Sequence, residues 1–128
     1  MLLRTYYNVT AIGLGAFANN TLTNLAIGNS VTTIGVLAFY NNILTSLAPP
    51  DRVTAIGENT FSDNNLTSVT FLGDFGAFEL NMFEGNANLT AITYIQGKTG
   101  WPQTFAPTGS GSVTTTSLPT TPQITYVE

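Results

Sequence analysis

The sequence contains no cysteine and no histidine, and charged residues make up only 8% of its 128 positions. Without Cys or His the chain has no thiol nucleophile, no disulfide, no zinc site of the usual kind and no Ser-His-Asp triad. Its three basic residues, Arg4, Arg52 and Lys98, are too scattered to neutralise a run of phosphates. We therefore expect neither an enzyme nor a nucleic-acid-binding protein, and we predict no catalytic, cofactor-binding or metal-binding residue.

Long hydrophobic runs are also missing, although hydrophobic residues make up 43% of the chain. No apolar stretch approaches the roughly 20 residues that span a bilayer. The apolar start at Met1 is interrupted by Arg4 and Thr5, so we expect no signal peptide in this chain and no membrane span. Eight Phe residues and many branched aliphatic residues indicate a folded core rather than disorder.

What the sequence does contain is an internal repeat of 22 residues. Copies begin at Val9, Val31, Val53 and Phe75, and one inserted residue near Ala87 shifts the last part of the fourth copy. Because one copy buries too little apolar surface to offset its conformational entropy, the copies are expected to stack as a solenoid. Five apolar columns keep the spacing: Val9, Val31, Val53 and Phe75; Ile12, Ile34, Ile56 and Phe78; Phe17, Phe39, Phe61 and Phe83; Leu22, Leu44, Leu66 and Leu89; Leu25, Leu47, Val69 and Ile92.

Each copy is predicted to contain two short strands joined by turns. The alternation of Leu22, Leu25 and Ile27 is typical of a strand with its apolar side inward, and residues 9–12 suit a second extended piece. A glycine follows this piece, where we expect a positive φ, and then a 3-10 or single α-turn leading to the Phe. The glycines are Gly13, Gly35 and Gly57.

An Asn stands three residues after each Phe. A buried amide can satisfy both a backbone N–H and a backbone C=O, so the Asn column is interpreted as a structural ladder beside the Phe column. The ladder residues are Asn20, Asn42, Asn64 and Asn86, with Phe17, Phe39, Phe61 and Phe83.

These patterns predict a mainly β repeat protein of the α/β solenoid class, a right-handed leucine-rich-repeat solenoid of about four repeats with short strands and 3-10 or short helical turns. Its expected parts are a partial N-terminal repeat at 1–8, repeats at 9–30, 31–52, 53–74 and 75–94, a C-terminal cap at 95–106, and a Thr/Pro/Ser-rich tail or linker at 107–128.

The pattern L-T-x-L-x-I…V-T-x-I-G-x-x-A-F-x-x-N resembles the BspA-type, or treponemal-type, leucine-rich repeats over residues 9 to about 94. The stretch 94–102 is similar to the closing segment of bacterial members, so Trp101 and Phe105 are expected to cover the open end of the core. The resemblance implies a bacterial or protist cell-surface or secreted protein, extracellular and part of a longer chain, whose solenoid binds a protein or surface glycan partner in adhesion.

The predicted interaction face consists of outward positions on the leucine-rich strands, which are small, neutral and rich in hydroxyl groups. Those residues are Thr23, Asn24, Thr45, Ser46, Thr67, Ser68 and Thr90. The face lacks the Trp, Tyr and Arg that dominate binding hot spots, so a structural spacer or fibre component without its own ligand remains an alternative.

Two less favoured hypotheses arise from other columns. Repeated Thr hydroxyls at strand spacing suggest an ice-binding surface, and the acidic residues around the fourth copy suggest a calcium site. The Thr residues are Thr10, Thr32 and Thr54 beside the face, and the acidic residues are Asp74, Glu79 and Glu84.

Overall fold

The computed structural model describes residues 1–5, 8–95, 97–105 and 113–118, and these contain strands and turns but no helix. Six strands lie along one side of the solenoid, called the strand face here. They are β1 (Leu2–Arg4), β3 (Asn24–Ala26), β5 (Ser46–Leu47), β7 (Ser68–Phe71), β9 (Ala91–Ile95) and β11 (Val113–Leu118). Four strands form a second sheet, namely β2 (Ala11–Ile12), β4 (Thr33–Ile34), β6 (Ala55–Ile56) and β8 (Ala77–Phe78), and β10 (Thr104–Phe105) follows the cap.

Strands from successive coils pair in parallel, as a stacked solenoid requires. In the second sheet Ile12 pairs with Ile34, Ile34 with Ile56, and Ile56 with Phe78, each 22 residues apart. On the strand face the offset increases to 23 between β7 and β9, because the inserted residue near Ala87 lies between them. The predicted repeat and its one irregularity are both confirmed.

The apolar columns form a continuous core between the two sheets. Phe17, Phe39, Phe61 and Phe83 stack with successive ring centroids 5.6, 5.6 and 6.0 Å apart. Phe39 and Phe61 have no exposed surface, whereas Phe17, at the N-terminal end of the stack, is only partly buried. Stacking thus hides each ring behind the next coil, except where the stack ends.

The Asn ladder runs beside the Phe column and joins adjacent coils. The Asn64 amide nitrogen donates to the carbonyl oxygens of Phe39 at 3.0 Å, Phe61 at 3.1 Å and Ser62 at 3.2 Å, and its oxygen accepts from the Leu44 N–H at 3.0 Å. One side chain therefore satisfies four backbone groups from two coils. The equivalent amides that repeat this bridging are Asn42 and Asn86.

The 3-10 or single α-turn predicted before each Phe takes the form of isolated turns, and the described residues contain no helix. The hydrogen bonds of these turns join residues three apart: the Ala16 N–H donates to the Gly13 carbonyl at 3.2 Å and the Ala18 N–H to the Gly15 carbonyl at 3.1 Å. Residues with positive φ interrupt any helix here: one starts the second turn in the first three coils, and one follows the second turn in all four coils. These residues recur in two columns, Gly15, Leu37 and Asn59, and then Asn19, Asn41, Asp63 and Gly85.

The glycines predicted to have positive φ do not have it, and two of them, Gly35 and Gly57, serve another purpose. A Cβ on Gly57 would lie 2.6 Å from the Val36 nitrogen, and one on Gly35 would lie 2.8 Å from the carbonyl carbon of Gly13. Glycine is therefore required here because the backbone of the preceding coil approaches too closely for a side chain.

Gly57→Ala is expected to destabilise the protein by about 1–3 kcal/mol, since the new methyl group must displace backbone atoms of the preceding coil. Gly13→Ala is the matched control, because nothing lies within 4 Å of the position that its new methyl group would take. Urea denaturation of both variants measures the difference. Equal losses of stability would contradict close approach as the reason for glycine at position 57.

An aromatic cluster closes the C-terminal end of the core. The Trp101 ring stacks on Tyr94 at 5.0 Å and contacts Phe71 at 4.7 Å and Phe75 at 5.2 Å between centroids. Its indole N–H donates to the Gly73 carbonyl at 3.2 Å. Trp101 thus occupies the capping position predicted for it, whereas the side chain of Phe105 lies outside the described part of the structure.

Strand β11 lies within the stretch 107–128, for which the sequence predicts a tail or linker. Residues Val113–Leu118 pair in parallel with β9, with Thr115 opposite Ile92, and β10 pairs with β11 in the antiparallel sense. The sequence VTTTSL is rich in branched residues that suit a strand, and the edge of β9 supplies its partner. The possible strand at 124–127 lies outside the described residues.

Candidate functional site

The predicted interaction residues lie on one surface, the strand face. Six of the seven are exposed and Thr23 is partly buried. Ser46 and Ser68 are direct ladder partners on β5 and β7, and the Thr67 hydroxyl donates to the Thr45 carbonyl at 3.3 Å. The face is therefore a neutral surface of hydroxyl and amide groups, part of whose hydrogen-bonding capacity is used within the solenoid.

The strand face is interrupted between β3 and β5, which belong to separate sheets. In the coil of β5, the strand ends at Leu47, and Pro49 and Pro50 follow. Pro49 occupies the place that Ile27 and Phe71 take in the neighbouring repeats. Because proline has no N–H to donate to a ladder, the parallel pairing that joins the neighbouring strands does not extend between β3 and β5.

A groove of about 280 Å³ lies across this interruption. Its apolar lining comes from Leu25, Leu47 and Ala48, which the sequence did not identify as site residues; the consecutive prolines were the available signal. No charged residue lines the groove. The polar lining groups are the side chains of Asn24, Ser46, Ser68 and Thr70.

A second groove, of about 570 Å³, lies on the loops beside the strand face. Asp51 and Arg52 are adjacent and exposed there, together with Leu72, so the groove carries one charge of each sign. Sequence reasoning did not find it, because these loop residues do not recur between copies. Its lining is completed by Asn29, Ser30 and Pro50.

The structure does not bring the acidic residues of the fourth coil together. No group of three potential metal-ligating His, Cys, Asp or Glu side chains occurs within the described ranges. The Asp74 carboxylate instead accepts a hydrogen bond from the Thr99 N–H at 2.8 Å, which ties the cap to the end of the third repeat. Elsewhere, a hydrogen bond to Asp63 and that carboxylate's charge raise the pKa of Tyr40.

The Thr column considered for ice binding spans only three coils. Thr10, Thr32 and Thr54 are exposed, but Gly76 occupies the fourth place. The Thr32 hydroxyl donates to the Thr10 carbonyl and the Thr54 hydroxyl to the Thr32 carbonyl, each at 3.3 Å. These hydroxyls take part in joining the coils.

Comparison with known proteins gives one match. A family model described as the BspA type leucine rich repeat region matches residues 5–120 in six copies, the same number as the strands on the strand face. No curated protein and no solved structure matches the chain. Across the described residues, no helix is long and apolar enough to cross a membrane. The repeat pattern, the parallel solenoid and the family match agree, and the chain belongs to the BspA-type leucine-rich repeat family.

Proposed function

We propose that this chain is a non-catalytic interaction module of a cell-surface or secreted protein, which binds a protein or glycan partner through the strand face. The observation that supports this most directly is the groove between β3 and β5. Its lining combines the apolar residues Leu25, Leu47 and Ala48 with residues that carry hydroxyl or amide groups, the composition expected of a recognition site.

The neutrality of the groove defines the kind of partner. Since no charged side chain lines it, a charged ligand would be desolvated there without a compensating ion pair. An uncharged segment with hydrogen-bonding groups would instead find Asn24, Ser46 and Ser68 as donors and acceptors. Binding of this kind uses a preformed surface and requires no chemical step.

Ser46→Arg tests the groove, because it places a long charged side chain at an exposed position of β5. The labelled full chain is applied to an array of neutral oligosaccharides and to a panel of purified extracellular proteins. We expect the wild type to bind at least one probe and the variant to bind it about tenfold more weakly, a difference of about 1.4 kcal/mol.

Thr33→Arg is the matched control, since Thr33 is an exposed hydroxyl residue at a strand position of the second sheet. It should bind like the wild type. Equal weakening by both variants would show that the groove is not the site. Absence of binding to every probe would favour the structural spacer, an alternative supported by the regular Phe and Asn columns that stiffen the solenoid.

A further inference from the structure

The turns that follow the second sheet carry exposed apolar side chains at one recurring position. Val36, in an internal coil, is 36% exposed and Leu80 is 44% exposed. Leu14 takes the same position in the first coil and Glu58 in the third. None of these residues lines the groove between β3 and β5. A single exposed apolar residue is ordinary, but a column of them indicates a contact surface separate from the strand face.

Glu58 and Glu79 lie side by side at the boundary between the third and fourth coils. One coil earlier, a Cβ on Gly57 would lie 2.9 Å from the Val36 Cγ2 atom. The two glutamates stand 22 residues after Val36 and Gly57. The Glu79 N–H donates to the Ile56 carbonyl at 3.1 Å, so these coils keep the register in which that approach occurs. Both carboxylates are exposed, and neither has an ion-pair partner among the described residues.

The net charge of the chain comes from these turns. The Asp63 N–H donates to the Glu84 carbonyl at 2.9 Å, so a second two acidic residues are neighbours across the same boundary. The remaining acidic residues of the chain are equal in number to its basic residues, at positions 4, 52 and 98, and the net charge is −4. We call this region the turn surface; its residues are Val36, Glu58, Asp63, Glu79, Leu80 and Glu84.

The composition of the turn surface determines the chemistry of its partner. Its negative charge repels nucleic acid and anionic lipid and attracts basic groups. Val36 and Leu80 would be stabilised by burial against apolar side chains. A partner that satisfies both requirements presents basic and apolar side chains together on one face.

The spacing of the coils favours an α-helix as that partner. Successive coils lie about 4.8 Å apart, and side chains three or four residues apart on an α-helix are separated by about 4.5–6 Å along its axis. Alternate side chains of a strand are about 6.6 Å apart and would not match the coils. We propose that the turn surface binds a cationic amphipathic helix that lies along the solenoid axis, with apolar side chains on Val36 and Leu80 and basic side chains at Glu58 and Glu79.

Fluorescence anisotropy with the full chain and a labelled synthetic peptide tests the proposal. The probe is a helix-forming peptide of lysine, leucine and alanine whose lysines and leucines share one face. It should bind, and added salt should weaken binding because salt screens the carboxylates. A peptide of the same composition in scrambled order, which lacks that face, should bind at least about tenfold more weakly. A version with glutamate in place of lysine should not bind.

Variants of the protein locate the site. Leu80→Ser should weaken binding of the probe about tenfold through loss of apolar burial, and Glu79→Gln about threefold through loss of one exposed charge pair. The matched controls are Leu72→Ser and Asp51→Asn, the same kinds of change at exposed residues outside the turn surface.

Both controls should bind the probe like the wild type, and all four variants should remain folded by circular dichroism, because each changes an exposed residue. A wild type that does not bind the probe, a scrambled peptide that binds as tightly, or control variants weakened as much as their counterparts would each overturn the proposal.

Discussion

Phe39→Ala is expected to destabilise the protein by about 3–5 kcal/mol. The Phe39 ring is completely buried, with Phe17 and Phe61 each 5.6 Å away between centroids. Its removal leaves a cavity at the centre of the column and deprives both neighbouring rings of a stacking partner. Since a domain of this size has about 5–15 kcal/mol of stability in total, the variant should lose a large fraction of its stability and melt at a clearly lower temperature.

Phe17→Ala is the control, because it removes a Phe from the end of the column instead of from its interior. Phe17 is only partly buried and has one ring neighbour in the column, so its replacement should cost about half as much or less. Thermal and urea denaturation of the two variants give the comparison. An unchanged melting temperature for Phe39→Ala, or equal losses in both variants, would contradict a continuous buried column.

Asn64→Leu is expected to cost about 1–3 kcal/mol. The substitution retains an apolar volume but leaves the buried Leu44 N–H without its partner. The carbonyls of Phe39, Phe61 and Ser62 each keep a second donor, namely the Asn42 amide, the Asn86 amide and the Asn41 N–H. A buried backbone group left without a partner costs about 1–3 kcal/mol. Asn20→Leu is the control, because Asn20 is exposed and its amide bonds only to carbonyls of its own coil; it should cost less than about 1 kcal/mol.

Asn64→Asp adds a pH readout that a cavity would not produce. The ionised carboxylate would face the three carbonyl oxygens, so the pKa of the new Asp should rise above its unfolded value of about 3.9. Stability should then be greatest below that value and should fall as the pH rises through the folded pKa. Stability that is independent of pH in this range, or an Asn64→Leu variant as stable as the wild type, would exclude the ladder as described.

The period of the sequence was sufficient to predict the Phe and Asn columns. A residue that recurs every 22 positions stacks on its equivalent, so Phe39 and Asn64 could be placed without knowledge of the backbone path. The inserted residue near Ala87 could be placed in the same way, and the 23-residue offset between Val69 and Ile92 confirms it.

Local backbone geometry could not be predicted from the same pattern. Glycine suits both a positive φ and a close approach, and the choice at Gly57 depends on how near Val36 lies, which only the stacked structure reveals. Leu37 has a positive φ of 60° although its side chain disfavours it. The Leu37 N–H donates to the Glu58 carbonyl of the next coil at 3.1 Å, whereas the Tyr40 N–H donates to the Leu37 carbonyl at 3.2 Å and closes the turn itself.

The candidate site was only partly predictable for a similar reason. Exposure of Ser46 and Ser68 follows from strand alternation. The groove between them and Asn24 results instead from the absence of ladder pairing between β3 and β5. Pro49 interrupts a contact between coils, and a pattern read along one copy does not show contacts between copies. Strand β11 was missed because its partner β9 is likewise distant in sequence.

The interruption between β3 and β5 also gives the solenoid unequal mechanical properties on its two sides. The second sheet continues from β2 to β8 without a gap, and the Asn42 amide fastens the first coil to the second. Tension along the long axis would therefore be carried by this unbroken side, while β3 and β5 would separate first. The junction between β3 and β5 would therefore bend more easily than the other junctions between coils. Bending there would widen the groove at the strand face.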